Sequence, residues 1–416
     1  MRYRDLFKNR EFTALYIADV VSTASSYLAR IAVAALIYHR THSTAWTAAA
    51  IAITYAPYLL SPWLSTPADR YARKLIVITS ECGRGLFTAA ILIGGLPVWT
   101  IIVLIFVVEC FSVPFGAARL SLLTEIFTVT HFPTANAFVQ STRQVLQLGG
   151  FLAGGIITAA VGSYIAIAID AVTYWLSALL LAFALKRRPA PQPEPAASEA
   201  EPARVQDAAG GTTGRSLEGL RLIAHSPRLR YLLLLLSLGP GVAVVTEGLA
   251  VPLAHELGHS TPLAGAIMAA GPLGNVVGLL ATGRLSARRQ LRFMVPSAIT
   301  CATCVAAAGI SAWLADAVPV VLLLITLSGV FLAYLNSLQG EIARMIPDHL
   351  RGRLFGLANA ILQLAQGGAI VAAGVIATYA DVGPSLIVVG GCGAFAVALV
   401  GGRMRRQSRP VRHAGH

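Results

Sequence analysis

The chain has 416 residues, 56% of them hydrophobic and 12% charged, with a mean hydropathy of +0.69. Soluble domains carry about 25% charged residues, so an ordinary water-soluble globule is excluded and the surplus apolar surface must face lipid. The net charge of +13 does not signal nucleic acid, because the basic residues gather between apolar runs without interleaved aromatics.

A helix that crosses a bilayer needs about 20 mostly apolar residues. Such runs lie near 12–38, 45–66, 75–95, 98–118, 134–160 and 164–185, then near 229–254, 261–283, 293–313, 318–338, 354–378 and 383–402. The first run is too long for the core of a signal peptide and reads as a membrane helix. The predicted fold is an all-α membrane protein, with twelve transmembrane helices in two pseudo-symmetric six-helix bundles. Residues 1–185 form the first bundle and 227–405 the second. Between them, 186–226 is a linker in which Pro189, Pro191, Pro193, Pro195 and Pro202 alternate with Ala, Glu and Ser, a composition of extended, flexible chain. A short surface helix is expected near Ser216 to Ala224, and 406–416 is a tail.

With the N-terminus inside, 28 of the 32 Lys and Arg residues fall on inward segments, Arg119 among them after the fourth run. Arg40 alone falls outside, and Arg30, Arg84 and Arg143 lie within helices. Cationic loops stay on the cytoplasmic side. The expected location is the inner (plasma) membrane, with linker, tail and both termini cytoplasmic.

The two halves repeat. Glu125-Ile126 and Gln147-Leu148 recur as Glu341-Ile342 and Gln363-Leu364 at an offset of 216, and His39 recurs as His255 at the same offset. Duplicated halves are an architecture of secondary transporters. The five cysteines all fall in apolar runs, where thiolate chemistry is disfavoured, and they read as packing residues.

Ionisable groups at membrane depth cost about 2.5–3.5 kcal/mol each on insertion scales, which makes them functional candidates. In the first helix, Asp19, Ser22, Thr23, Ser26 and Arg30 share one face. Asp19 and Arg30 are ~16 Å apart along the axis, so they do not pair. Glu109 sits mid-helix in the fourth run, with Arg30, Arg84 or Arg143 as possible partners. Glu81 and Arg84 are spaced to satisfy each other. Glu247 lies between Pro240 and Pro252. Arg143 and Gln147 belong to a polar stripe of the fifth helix, Asn359 and Gln363 to one of the eleventh. The expected cavity lining is Ser26, Tyr27, Arg30, Arg143, Gln147, Asn359 and Gln363.

His255-Glu256-Leu257-Gly258-His259 reproduces the H-E-x-x-H zinc-protease pattern. That chemistry needs both histidines on one helical face. Gly258 is a helix stop, Ser260-Thr261-Pro262 a helix start, and the repeat already explains the histidines. No metal site and no enzymatic activity are expected. No Gly-rich phosphate loop with Lys-Ser/Thr is present, so no nucleotide or other cofactor is expected.

The loop between helices two and three, Asp69-Arg70-Tyr71-Ala72-Arg73-Lys74, resembles the signature loop of the major facilitator superfamily, with Ser65 or its neighbours in place of the usual glycine. Ala135-Asn136-Ala137 through Arg143-Gln144, Asp348 through Gly356 and Asp170 to Ala178 are similar to the drug, macrolide and siderophore exporter-like branch, which includes enterobactin exporters. The resemblance implies an efflux transporter for small apolar or amphipathic compounds, working by proton antiport with alternating access. It implies that Asp69, Arg70, Arg73 and Lys74 form a cytoplasmic gate, Asp69 and Arg73 latching the halves near the start of helix eleven. One of Asp19, Glu109 and Glu247 would carry the coupling proton. The family's helix-five Gly-Pro pair is absent here; Gly149-Gly150 and Gly154-Gly155 stand in that stretch. An importer or uncoupled facilitator of the same fold, and a non-transporting membrane sensor, are the alternatives. The expected partners are a small-molecule substrate, the proton and membrane lipid, with the protein a monomer.

Overall fold

The computed structural model describes residues 6–127, 131–186, 188, 226–283, 286–346 and 348–407. Nearly all of the expected linker, the surface helix near 216–224 and most of the tail lie outside the described residues.

The described residues form helices without a strand. In chain order they are α1 (Arg10–Thr41), α2 (Thr44–Ala52), a 3-10 segment (Ile53–Leu60), α3 (Ser61–Leu64), α4 (Thr66–Arg70), α5 (Arg73–Ala90), α6 (Val98–Ile126), α7 (Phe132–Val161) and α8 (Ser163–Ala184). They continue with α9 (Pro227–Gly248), α10 (Ala250–Glu256), α11 (Thr261–Thr282), α12 (Ala287–Ala315), α13 (Val318–Leu332), α14 (Tyr334–Met345), α15 (Asp348–Ala380) and α16 (Val382–Gln407).

The ends are chemically marked. Asn9 caps α1 by accepting from the Glu11 and Phe12 amides at 2.9 and 3.3 Å, which satisfies two otherwise orphaned donors. The α1–α2 turn passes through His42 at φ 48, and Ser43 caps α2. Gly162 at φ 85 makes the single-residue joint between α7 and α8, a conformation glycine adopts without steric cost.

Ten of the described helical segments are long and apolar enough to cross a membrane. Two expected spans fail that composition for visible reasons. Residues 44–64 are broken at Pro57 into α2, the 3-10 segment and α3, because proline removes a helical donor and clashes with the preceding turn. Helix α5 carries Arg73, Lys74, Glu81 and Arg84. Large apolar side chains point outward along the molecule, Phe183 at 83% and Leu280 at 70% exposed. Patches of this kind demand an apolar neighbour, which here is lipid.

The apolar core is asymmetric. At the end holding the α1–α2, α10–α11 and α15–α16 turns, one cluster joins Ile31, Ile51 and Phe151 to Leu253, Ile267 and Ile370. At the opposite end there are two separate clusters. One draws on Phe12, Val77, Leu122 and Leu181, the other on Leu232, Met294, Leu338 and Val397. One cluster at the first end draws on both halves; at the second, the clusters among the described residues each stay within residues 6–185 or within residues 229–404.

Candidate substrate and coupling site

Between seal and open end, α1 presents its polar face to a buried network. Asp19, 3% exposed, accepts from Arg119 Nη1 at 3.1 Å and from Arg143 Nε and Nη2 at 3.2 and 2.5 Å. Ser25 donates to Asp170 at 2.6 Å. Arg84 donates to Glu81 at 2.9 Å and to the Tyr174 hydroxyl at 2.8 Å, and its guanidinium lies 4.1 Å from the Tyr174 ring centroid. Buried charges persist only when paired, and here arginines of α5, α6 and α7 are paired by acids of α1 and α5.

Two polar cavities are present, the first of them bordered by this network. One of about 330 Å³ is lined by Ser26, Tyr27, Arg30, Arg84, Glu109 and Arg143, among others. A second of about 190 Å³ is lined by Tyr55, Gln144, Gln147, Glu247, Asn275 and Gln366. A third, mostly apolar groove of about 510 Å³ runs beside the 3-10 segment and α15, past Tyr55, Gln363 and Gly367.

The structure therefore gathers Ser26, Tyr27, Arg30, Glu109 and Arg143 around one cavity and puts Gln147 and Glu247 on the second. Gln363 lines the apolar groove, and Asn359 is exposed on α15. Of the three possible partners of Glu109, the one it meets is Arg30, at 3.8 Å. Glu81 and Arg84 pair with each other, as their spacing suggests, through one N–H of Arg84. Arg119 was expected in a loop; it stands inside α6 and is 7% exposed. The apolar run stops at 118, but the helical period continues through Phe115, Ala118, Leu122 and Leu123, all buried, and that is the signal that would have kept Arg119 in the helix.

At the signature loop, Arg73 pairs with Glu125 of α6. Lys74 donates to the carbonyls of Ala182 and Leu185 at 2.7 and 2.5 Å, at the end of α8. Arg70 is exposed; the Asp69 side chain lies outside those described, as do the side chains of 347–353.

The H-E-x-x-H stretch folds as its punctuation suggests. Helix α10 ends at Glu256, Gly258 turns at φ 70, and Ser260 precedes α11. Glu256 accepts from the Val382 amide at 3.0 Å and so caps α16. Its carboxyl sits above the ordinary glutamate range, because burial outweighs that hydrogen bond and Asp381 adds repulsion. His255 packs on Tyr38 and His39, with ring centroids 4.9 and 5.5 Å apart. Burial, then the neighbouring His39 and His42, hold its imidazole below the usual value. Among the described residues no group of three or more His, Cys, Asp or Glu could hold a metal.

A profile of the Major Facilitator Superfamily matches residues 15–370 and 248–415. The chain belongs to the major facilitator superfamily. Among relatives of this superfamily member, the uncharacterized MFS-type transporter YfiS of Bacillus subtilis (strain 168) is 26% identical over 297 residues, 69% of this chain and 66% of that protein, just under two thirds of its length. Solved structures share the fold. A bacterial homolog of the human lysosomal transporter Spinster, inward-facing and occupied, has a TM-score of 0.73 at 13% identity, covering 94% of this chain and 96% of that one. The nucleoside transporter NupG, as a point mutant, has a TM-score of 0.75 at 9% identity, covering 95% and 99%. At such identities the likeness concerns the fold of this superfamily member and nothing finer.

Proposed function

We propose that the protein is a secondary active transporter of the inner membrane that exports small apolar or amphipathic compounds by proton antiport. Its twelve crossings would form two six-helix bundles that rock about the central cavities. The observation that carries this reading is the asymmetric core: one end sealed across both halves, the other packed within each half alone. Polar cavities between such ends are open to one side at a time, which is what alternating access requires. The charge asymmetry of the loops supports a cytoplasmic position for the unsealed end, which would make this the inward-facing state. The ten apolar segments, with the proline-broken segment 44–64 and the charged α5, bring the crossings to twelve.

The repeat supports duplicated bundles. His39 and His255, related by the repeat, touch each other, as residues near a two-fold axis must. Glu125 and Glu341, also repeat-related, each take an arginine at the unsealed end, Arg73 and Arg228. Arg73 and Lys74 are tied within the first half, which fits a cytoplasmic gate of Asp69, Arg70, Arg73 and Lys74 in its released position. Asp19 is engaged by two guanidiniums and anchors the arginine cluster. That leaves Glu109, loosely paired, and Glu247, without an ion pair among the described residues, as the stronger coupling candidates.

Inverted membrane vesicles with an acid interior test the reading. Neutral or anionic fluorescent amphiphiles are expected to accumulate inside with release of protons, and Glu109→Gln or Glu247→Gln to uncouple the two fluxes. Accumulation only under the opposite gradient would mean import, and equilibration without a gradient an uncoupled facilitator. Coupling retained in Asp19→Asn, Glu109→Gln and Glu247→Gln alike would remove all three acids from the proton path.

A further inference from the structure

The 330 Å³ cavity holds more cationic charge than its lining acid answers. Arg30, Arg84 and Arg143 face it, and Glu109 is its acidic lining residue. Arg84 and Arg143 have partners behind the wall, Glu81 at 2.9 Å and Asp19 at 2.5 Å. Arg30 is different. A guanidinium has five N–H donors, yet among the described residues the one ion pair of Arg30 reaches Glu109 at 3.8 Å, beyond hydrogen-bond length. Its guanidinium also lies 5.7 Å from the centroid of the Tyr27 ring, with Tyr55 and Glu247 acting on it electrostatically. Two more groups on this cavity, Arg84 Nε and Ser112 Oγ, are buried with no hydrogen-bond partner among the described residues. Donors left unanswered at membrane depth are costly, and all three belong to one wall.

Resting on the transporter reading above, we propose that this cavity binds an organic anion, a carboxylate on an aromatic or apolar body, and that Arg30 grips the carboxylate. Two carboxylate oxygens match the planar fork of a guanidinium and can be held bidentately. Arg84 adds positive potential beside it. Tyr27, Tyr58 and Phe115 offer ring surface to the apolar body. Glu109 is the resident competitor, an acid already on Arg30 but too far to bond well. An organic cation would have to enter past three guanidiniums, which disfavours it.

Calorimetric titration of the full-length protein in nanodiscs of zwitterionic lipid, with 2-naphthoate and its neutral shape control 2-naphthamide, separates charge from shape. Naphthoate is expected to bind at least about tenfold more tightly than the amide. Arg30→Ala is expected to weaken naphthoate at least about thirtyfold, the loss of one charge-assisted pair, with Arg30→Lys intermediate. Glu109→Gln, by removing the competitor, is expected to tighten naphthoate relative to the amide; a gain of affinity cannot arise from misfolding. Equal binding of the two probes, naphthoate affinity indifferent to Arg30, or no binding of either would overturn the proposal. No gradient is involved, so the outcomes part cleanly. Naphthoate binding without vesicle transport would remove the transporter reading alone, and transport of neutral amphiphiles without naphthoate binding would remove the anion site alone.

Discussion

Asp19 is the residue on which the buried charges of the first half depend. It answers both Arg119 and Arg143, so its loss leaves two guanidiniums facing each other without a counter-ion. Breaking a buried pair by removing one member costs roughly 3–5 kcal/mol. Asp19→Ala is therefore expected to lower the unfolding temperature of the detergent-purified protein sharply. Arg119→Met in the same chain is expected to restore part of that loss, because residues in one charge network are not additive. A double variant whose loss equals the sum of those of Asp19→Ala and Arg119→Met measured singly would show that the pair is not coupled. The sequence announced Asp19, since an acid in a membrane helix is conspicuous by its cost. It could not announce the partners, which stand 100 and 124 positions away.

At the scale of elements, small residues decide which helices touch. Gly150 and Gly154, four apart, share one helical face, and a Cβ at either would meet α1, at Tyr27 and at Leu28. Gly274 and Gly278 likewise back onto α13. Both pairs pack within their own half. One close joint between the halves is Gly155 on α7 against Gly265 on α11, where a Cβ on Gly155 would lie 2.9 Å from the Gly265 Cα and 3.0 Å from the Thr261 carbonyl oxygen. Backbone cannot yield as a side chain can. Gly155→Val is therefore expected to wedge the sealed end apart. With the native cysteines replaced, a cysteine at Ser26 should then react with a membrane-impermeant maleimide added from outside. Gly149→Ala, whose added Cβ meets nothing within 4 Å, should leave that cysteine protected. Protection in the Gly155→Val protein would place the seal elsewhere. Helix existence and most turns were legible here, because apolar length and residues such as Gly162, Ser43 and Ser260 act locally. Which glycine bridges the halves was not, because four stand within seven positions of α7 and only tertiary packing tells them apart. The second expected span shows the same limit: its apolar run was plain, but the break at Pro57 into a 3-10 turn was not read from it.

For the whole molecule, the sealed end is where acid can act. Tyr38 and His39 of α1 and the His42 that follows it face His255 of α10, and Glu256 and Asp381 stand close by. The His255 imidazole sits below its ordinary value, so the sealed state binds fewer protons here than a state in which His255 is free. Whatever His255 contributes to the seal is thus present above about pH 6.5, the ordinary histidine value, and is lost as the pH falls toward its depressed value in the sealed state. In the orientation proposed above, acid outside the cell should therefore loosen the Tyr38–His39–His255 contact and favour opening on that side. Glu256 works against this. Its raised carboxyl gives up a proton at higher pH than a free one, so protonation there favours the sealed state, while its bond to the Val382 amide calls for the carboxylate. The two effects can be separated. Amide hydrogen exchange at 38–44 and 255–262, corrected for the intrinsic pH dependence, should be faster at pH 5.5 than at pH 7.5 in the unmodified protein. In His255→Gln the difference should shrink, and in Glu256→Gln it should persist. Exchange that is slower at pH 5.5, or a difference untouched by His255→Gln, would assign the response to Glu256 or to the opposite face.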